Sequence, residues 1–418
     1  MIYQCELYMK ISIIIPTRER AMYLRQCLKT IVEIENPDIE IIISNNASEG
    51  ETEKVVEEFS DKRIKYFRTP KRVSMRENFE FSVKKSTGDY VIMIGDDDGM
   101  LPQQFNYLVD ILNDFRPDCI SWSFPTYTWP NSNEIRTQKK TSIRKRMLFG
   151  EVKVNDSDIL RQQLLDCTLE TFDAVPKIYH GCSSRDYIDR ISSNSGVVFN
   201  GSVPDIYFSY RAIIEGGRFV HVNHPFSISG NSPASTGNSM SMSSTDTREN
   251  NPAIMFNNEN KQDNIQNVIE SKLSIPLVLF STLETVLSLY TNQDNAPEYQ
   301  NWYNYIIHGN KMGNQDVRKK TLSILNEHAQ KTGSIKAFES AKVSPRRRKG
   351  FFEKINRELS NFHSLSLATT YDNVDNVWSA ARSLDSIIGS EYSEVLLGKS
   401  NTRQAWKHVK TKNMRNTN

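Results

Sequence analysis

Apolar and polar positions alternate between two periods over the first ~125 residues, strand-like runs followed by helix-like ones. Ile11-Ser12-Ile13-Ile14-Ile15 predicts a buried strand that stops at Pro16, and Ala21, Leu24, Leu28 and Ile31 then recur at helical spacing. Ile39 to Ile43 predicts a second strand, closed by the polar turn Ser44-Asn45-Asn46-Ala47. Ser48 and Glu51 stand three apart, as in a capping box, ahead of a helix through Val55, Val56 and Phe59. Arg63 to Phe67 is a third strand, and Ser74 with Glu77 repeats the capping spacing before a helix with Phe79 and Val83. Tyr90-Val91-Ile92-Met93-Ile94 is a fourth strand, ending at Gly95. Pro102 opens a helix through Phe105, Leu108, Val109 and Leu112, and Cys119 to Phe124 predicts one more strand.

Strands alternating with helices at this spacing imply a parallel sheet with right-handed crossovers. The loops after the strands then share one sheet edge, where open α/β sheets bind ligands. They bring together Thr17 and Arg18, Asn45 and Asn46, the stretch from Arg68 to Arg76, and the acidic triplet Asp96-Asp97-Asp98. Three adjacent carboxylates repel one another. They are tolerable in a solvated turn, or where a divalent cation such as Mg²⁺ or Mn²⁺ neutralises them. A calcium EF-hand is excluded by counting: from Asp96, loop position five is Met100 and position twelve is Tyr107. An anionic ligand held through a metal suits this edge. No GxGxxG or GxxxxGK[ST] follows any strand, so dinucleotide and P-loop fingerprints are absent.

Beyond residue 125 the pattern loosens. Thr126 to Arg146 is polar and basic and reads as a loop or flap; Arg218 to Val222 reads as a strand. Ser227 to Asn251 is rich in Ser, Asn, Thr and Gly and reads as a mobile loop or linker. From Lys261 onward apolar residues recur at helical spacing. The expected organisation is a domain over 1–235, with a nucleotide-binding half near 10–125 and an acceptor half near 126–235. A polar linker over 236–262 and a helical region over 263–418 follow. The run Arg346-Arg347-Arg348-Lys349 before Phe351-Phe352 is an exposed basic loop or a contact with an anionic membrane or acidic partner.

Composition narrows the classes. A chain of 418 residues with 38% hydrophobic positions can bury two or three cores. The 52 basic and 50 acidic side chains nearly cancel, which argues against a surface built wholly for nucleic acid. Cys5, Cys27, Cys119, Cys167 and Cys182 form no CxxC pair, and a reducing cytoplasm is the natural inference. No signal-peptide succession is seen, and Ile275 to Tyr290 is too short and interrupted to span a bilayer.

These residues resemble the family-2 glycosyltransferases, which have the GT-A fold, over about residues 10–235. The opening stretch Ser12 to Arg18 resembles that family's first nucleotide loop, and Ile41 to Ser48 its second strand and base-contacting loop. Arg76 and Asn78 resemble the pair that starts the helix before the acidic strand. Gly88 to Asp98 resembles the stretch carrying the DxD motif, with Leu101-Pro102 following. The resemblance implies an α/β protein of GT-A type: a mixed, mainly parallel sheet flanked by helices, plus the C-terminal helical region. It implies an inverting, metal-dependent transfer of a sugar from a nucleotide-diphosphate sugar to an acceptor hydroxyl. Such chemistry belongs to surface polysaccharide or glycoconjugate synthesis, with a glycan or lipid-linked acceptor.

On that resemblance Asp96 and Asp98 would hold Mn²⁺ or Mg²⁺. Pro16, Thr17, Arg18, Asn45, Asn46, Arg76, Asp96 and Asp97 would contact the donor. Asp205, about 110 residues after the triplet, would be the catalytic base; the rival reading makes it a helix N-cap. His180, His221 and His224 are either phosphate or metal contacts or ordinary structural histidines. Two departures stand out. Asn45 and Asn46 replace an expected aspartate, and Gly95 sits where many members begin their acidic motif. The alternative is a non-catalytic sugar-nucleotide or glycan-binding module on the same fold. A nucleotidyltransferase lacks its glycine-rich loop here.

Overall fold

A computed structural model describes residues 9–132, 135–169, 172–233, 258–263, 269, 274–290, 296–309, 315–345, 364–368 and 375–416. The basic run at 346–349 with Phe351 and Phe352 lies outside them. The first half is built on strands β1 (Ile11–Thr17), β2 (Ile39–Asn45), β3 (Ile64–Arg68) and β4 (Tyr90–Met93). They pair in parallel in the order β3-β2-β1-β4. Helices α1 (Ala21–Val32), α2 (Thr52–Glu57) and α3 (Met75–Lys85) connect them. The strands are continuous apolar runs because both faces are covered, as parallel sheets require.

Only one of the two expected capping boxes forms. Ser74 accepts from the Glu77 amide while Glu77 reaches back to the Ser74 amide. At the other site the helix begins at Thr52, and Ser48 Oγ accepts instead from the Glu19 amide at 2.9 Å. That side chain ties the second loop to the first.

The sheet continues through β10 (Gly181–Ser184), antiparallel between β4 and β6 (Cys119–Trp122), and on to β11 (Phe219–Val222) and β9 (Val152–Asn155). A second sheet has the order β13-β8-β7-β12-β5. Its strands are β5 (Gly99–Met100), β7 (Thr126–Thr128), β8 (Lys140–Arg144), β12 (Ser227–Asn231) and β13 (Ser364–Ala368). Two expectations are corrected here. The stretch Thr126 to Arg146 supplies two strands rather than a flap: in β8, Thr141 and Ile143 point inward between exposed neighbours. Ser227 to Asn231 is a buried strand rather than the start of a linker. Its polar groups are bonded: Ser227 Oγ accepts from Trp122 Nε1 and meets His180 Nδ1, each at 2.8 Å.

Strand alternation sorts the core into two layers. Ile13, Ile15, Ile41, Ile43 and Ile92 face α1, α4 (Phe105–Phe115) and the helices Val377–Ile388, Glu391–Leu396 and Thr402–Asn416. Ile14, Ile42, Val91 and Met93 face α3, α5 (Ser157–Leu165), α6 (Arg185–Ser193) and α7 (Pro204–Glu215). The helices Ile275–Leu287, Tyr299–Gly309, Gln315–Lys331 and Ile335–Val343 extend that second layer. The helical C-terminal region therefore divides between both faces of the sheet. No described helix is long and apolar enough to cross a membrane.

Candidate active site

The carboxyl ends of β1 and β4 meet at the acidic triplet. Asp96, Asp97 and Asp98 are only 1%, 5% and 2% exposed, so the solvated-turn reading does not hold. Three buried carboxylates need compensation, and each has its own. Asp96 Oδ2 accepts from Thr17 Oγ1 at 2.6 Å, and its Oδ1 lies 2.8 Å from Arg20 Nη1. Asp97 Oδ2 accepts from Arg20 Nη2 at 2.9 Å and from the Ser232 hydroxyl. Asp98 Oδ1 accepts from the Gly230 amide at 2.7 Å; its Oδ2 accepts from the Gly95 amide at 2.7 Å and from Tyr179 Oη at 2.8 Å. His180 Nε2 lies 3.1 Å from the same oxygen.

The three acids differ electrostatically for these reasons. Burial pushes the Asp96 carboxyl up to about 7, with Arg20 opposing and the neighbouring carboxylates adding. Burial also raises Asp97 against the pull of Arg20. For Asp98 burial acts in the same direction but is overcome by His180 and the hydrogen bonds, which hold it below the usual carboxylate range. Gly95 has a steric explanation too. A Cβ there would come within 2.6 Å of Tyr179 Oη and 2.9 Å of Asp98 Oδ2. An aspartate at this position would collide with the pair that locks Asp98.

Asp205 lies within electrostatic range of Tyr179 and Lys177. It is in the first turn of α7, whose N-cap position is Val203, so the N-cap reading is set aside. The backbone amides of Asp205 and Ile206 act to lower its pKa, at a helix end whose dipole favours an anion. Burial nonetheless raises its pKa, with Lys177 opposing. Lys177 is half-buried, its ammonium 5.6 Å from the Phe124 ring centroid. Burial lowers it to about 8, against the charges of Asp173 and Asp205. The Tyr179 phenol is half-buried, bonded to Asp98, and within the fields of Asp98, Asp97 and Asp205.

The other expected donor contacts face protein groups. Asn45 Nδ2 donates to Tyr66 Oη at 2.7 Å and its Oδ1 accepts from the Ser48 amide. Asn46 donates to Val73 O at 2.8 Å and accepts from the Val73 amide at 2.9 Å. Both amides are buried and shape their loop. Arg18 pairs with Glu259. Arg76 makes a bidentate pair with Asp263, at 2.7 and 2.6 Å, and Ser74 bonds the same carboxylate. Both acids come from the short segment 258–263. Pro16 is half-buried at the end of β1. His180, His221 and His224 are buried and hydrogen-bonded to side chains, His221 to Ser121 and Asn223, His224 to Gln104. They serve the structure.

The divalent cation implied by the resemblance can be tested against these contacts. Both Asp98 oxygens accept hydrogen bonds from protein donors, Oδ1 from one and Oδ2 from two. Asp96 Oδ1 is buried without a hydrogen bond, facing only the Arg20 cation. That oxygen fits a cation at the position Arg20 now neutralises, with Asp97 and Asp98 adjoining it. Among the described residues no three His, Cys, Asp or Glu side chains converge as a ready metal cage.

Arg20, Tyr179, Lys177, Gly230, Ser232, Glu259 and Asp263 were not singled out from the sequence. Arg20 could have been, because it shares the first loop with Arg18. Ser232 and Gly230 carried no signal, because their partners lie some 130 residues away. Gly230 is nevertheless obligatory: a Cβ there would lie 1.8 Å from Asp97 O.

A mainly parallel sheet with an acidic triplet after its central strand, and helices on both faces, is an architecture of GT-A type. Residues 12–164 match the family model Glycosyl transferase family 2, and the chain carries a domain of that family. It is 38% identical over 97 residues to abequosyltransferase RfbV of Salmonella typhimurium, covering 22% of this chain and 29% of that protein. It is 31% identical over 108 residues to the GalNAc(5)-diNAcBac-PP-undecaprenol beta-1,3-glucosyltransferase of Campylobacter jejuni, covering 25% and 35%. The matches span about a third or less of these relatives' lengths. The crystal structure of S. aureus TarS 1-349 in complex with UDP-GlcNAc aligns over 80% of this chain and 90% of that one, at 13% identity and a TM-score of 0.42.

Proposed function

We propose that this chain is an inverting glycosyltransferase. It moves a sugar from a nucleotide-diphosphate sugar to an acceptor hydroxyl, with Asp205 as the base. The observation that carries this reading is the buried acidic triplet at the carboxyl end of β4, beside the loop that follows β1. The family match and the transferase names of the relatives support it.

In the proposed reaction the acceptor oxygen bonds to the anomeric carbon from the face opposite the leaving group. The bond from that carbon to the diphosphate oxygen breaks, and the hydroxyl proton passes to Asp205. A carboxylate with a raised pKa is the better base, and the Lys177 ammonium keeps it ionised until the proton arrives. The donor's phosphates would draw Arg18 and Arg76 away from Glu259 and Asp263, exchanging internal carboxylates for ligand oxygens. Mn²⁺ or Mg²⁺, held at Asp96 with Asp97 and Asp98 adjoining, would neutralise charge on the departing diphosphate. Arg20 is the protein's own cation at that place. The division expected from the sequence, with donor loops before residue 125 and acceptor groups after it, suits this assignment. A lipid-linked saccharide is the proposed acceptor, the class named for the Campylobacter relative.

The test offers purified protein a panel of UDP-, GDP- and dTDP-sugars with Mn²⁺ and reads nucleotide release. Turnover of one donor, abolished by Asp205→Asn with binding intact, is the expected result. Tight binding of one donor without turnover, in the presence of lipid-linked and free saccharide acceptors, would instead favour the binding module.

A further inference from the structure

We propose that the chain docks on anionic phospholipid through the exposed stripe Arg403, Lys407 and Lys410 of the helix Thr402–Asn416, together with Leu396 and Leu397 in the turn that precedes it. The docking itself does not depend on the transferase reading. Charge along the chain is balanced, 52 basic against 50 acidic side chains, yet no Asp or Glu occurs after Glu394. Lys399, Arg403, Lys407, Lys410, Lys412 and Arg415 all fall in that last stretch.

The fold turns this composition into a surface. Ala405, Trp406 and Val409 are buried in the core layer with Val377, Ala381, Leu384 and Tyr392, so the inner face of the helix is fixed to the body of the protein. Arg403, Lys407 and Lys410 are exposed and stand at i, i+4 and i+7, which places them on one stripe. The turn leading into this helix exposes Leu396 and Leu397, at 47% and 65%, next to exposed Lys399. Two acids are near: Glu391 pairs with His408 at 2.7 Å, and Glu394 lies 4.0 Å from Lys399. Neither belongs to the Arg403, Lys407 and Lys410 stripe.

Cations beside exposed leucines suit a bilayer surface. Lipid phosphates attract the stripe while the leucines enter the apolar boundary. A nucleic acid or an acidic polypeptide would reward the charges but not the leucines. With no described helix able to span, contact would lie in the plane of the interface. The helix Val377–Ile388, on which the basic helix rests, packs against α1, β5 and β12. β12 also supplies the Gly230 amide that holds Asp98. A bilayer here would bring the crevice toward a lipid-linked acceptor, a consequence that does rest on the proposed transfer.

The experiment is flotation of the full chain with vesicles of phosphatidylglycerol and phosphatidylcholine, against vesicles of phosphatidylcholine alone, at low and high salt. Wild-type protein should float with the anionic vesicles only, and less so at high salt. Lys407→Glu with Lys410→Glu should weaken binding about tenfold or more. Leu396→Ser with Leu397→Ser should weaken it about tenfold. Melting temperatures should be unchanged because these side chains are exposed; if the charge reversal lowers them, Lys407→Gln with Lys410→Gln replaces it. Absence of binding to anionic vesicles, equal binding to neutral ones, or undiminished binding by both folded pairs of variants would overturn the proposal. Donor binding by calorimetry, run in parallel, reports on the transferase reading separately.

Discussion

The two sides of the crevice are built on opposite plans. On the donor side nearly every charged group already has a protein partner: Asp96 and Asp97 share Arg20, Asp98 is held by two amides and Tyr179, and Arg18 and Arg76 hold Glu259 and Asp263. On the acceptor side Asp205 and Lys177 are half-buried and desolvated: first-turn amides and then Lys177 oppose burial at Asp205, and Asp173 and then Asp205 oppose it at Lys177, with no side-chain ion pair to either among the described residues. The difference teaches what each side must do on binding. A multiply charged ligand can displace internal ion pairs because it replaces their charges in kind. A proton acceptor instead needs a carboxylate short of partners, since every extra hydrogen bond would lower its basicity.

The largest effect expected from this contrast is at Asp205. Asp205→Asn should cut sugar transfer by about a thousandfold while leaving donor affinity in place. Single-turnover transfer and calorimetry on the same preparation check it, and a fully active variant would remove the base assignment. Next in size is Asp98→Ala, which orphans the Gly95 and Gly230 amides and the Tyr179 hydroxyl. A loss of about 3 kcal/mol or more in denaturant unfolding is expected. If stability held while Mn²⁺-dependent donor binding vanished, Asp98 would be a metal ligand, and the contrast between the acids would fail.

Smaller shifts sharpen the comparison. Lys177→Met removes the cation that opposes the effect of burial on Asp205, so the Asp205 pKa should rise further. A base acts when deprotonated. The acidic limb of the kcat/KM profile should therefore move to higher pH, by up to about one unit, and any limb near pH 8 from Lys177 itself should disappear. An unmoved acidic limb would mean the two groups do not communicate. The smallest effect is expected at Glu259→Gln, which releases a partly exposed arginine. Donor binding should tighten about threefold at most, in keeping with the modest worth of such pairs. Weaker binding would show that Glu259 positions Arg18 for the ligand rather than competing with it.

Much of the fold was legible because its cause is local. Short continuous apolar runs and period-3.6 apolar patterns named the first four strands and their helices, and Gly95 and Pro102 marked the ends of the acidic turn. Legibility failed where polarity was mistaken for exposure. Ser227 to Asn231 looked like a linker, yet its serine and glycine are buried and bonded to Trp122, His180 and Asp98. The Ser48–Glu51 spacing looked like a cap, yet Ser48 was recruited by the first loop. At the site, the triplet, Thr17, His180 and Asp205 were in view, whereas Arg20, Tyr179, Lys177, Gly230 and Ser232 were not.

What the amino-acid order determined alone is the strand–helix alternation and the placing of carboxylates at a strand's end, because backbone geometry and side-chain periodicity act over a few residues. Only the tertiary structure decided which carboxylate oxygens remain open. Their partners arrive from Arg20, Tyr179, Gly230 and Ser232, brought in by separate segments, and a hydrogen bond is directional and short enough to depend on where those segments finally pack.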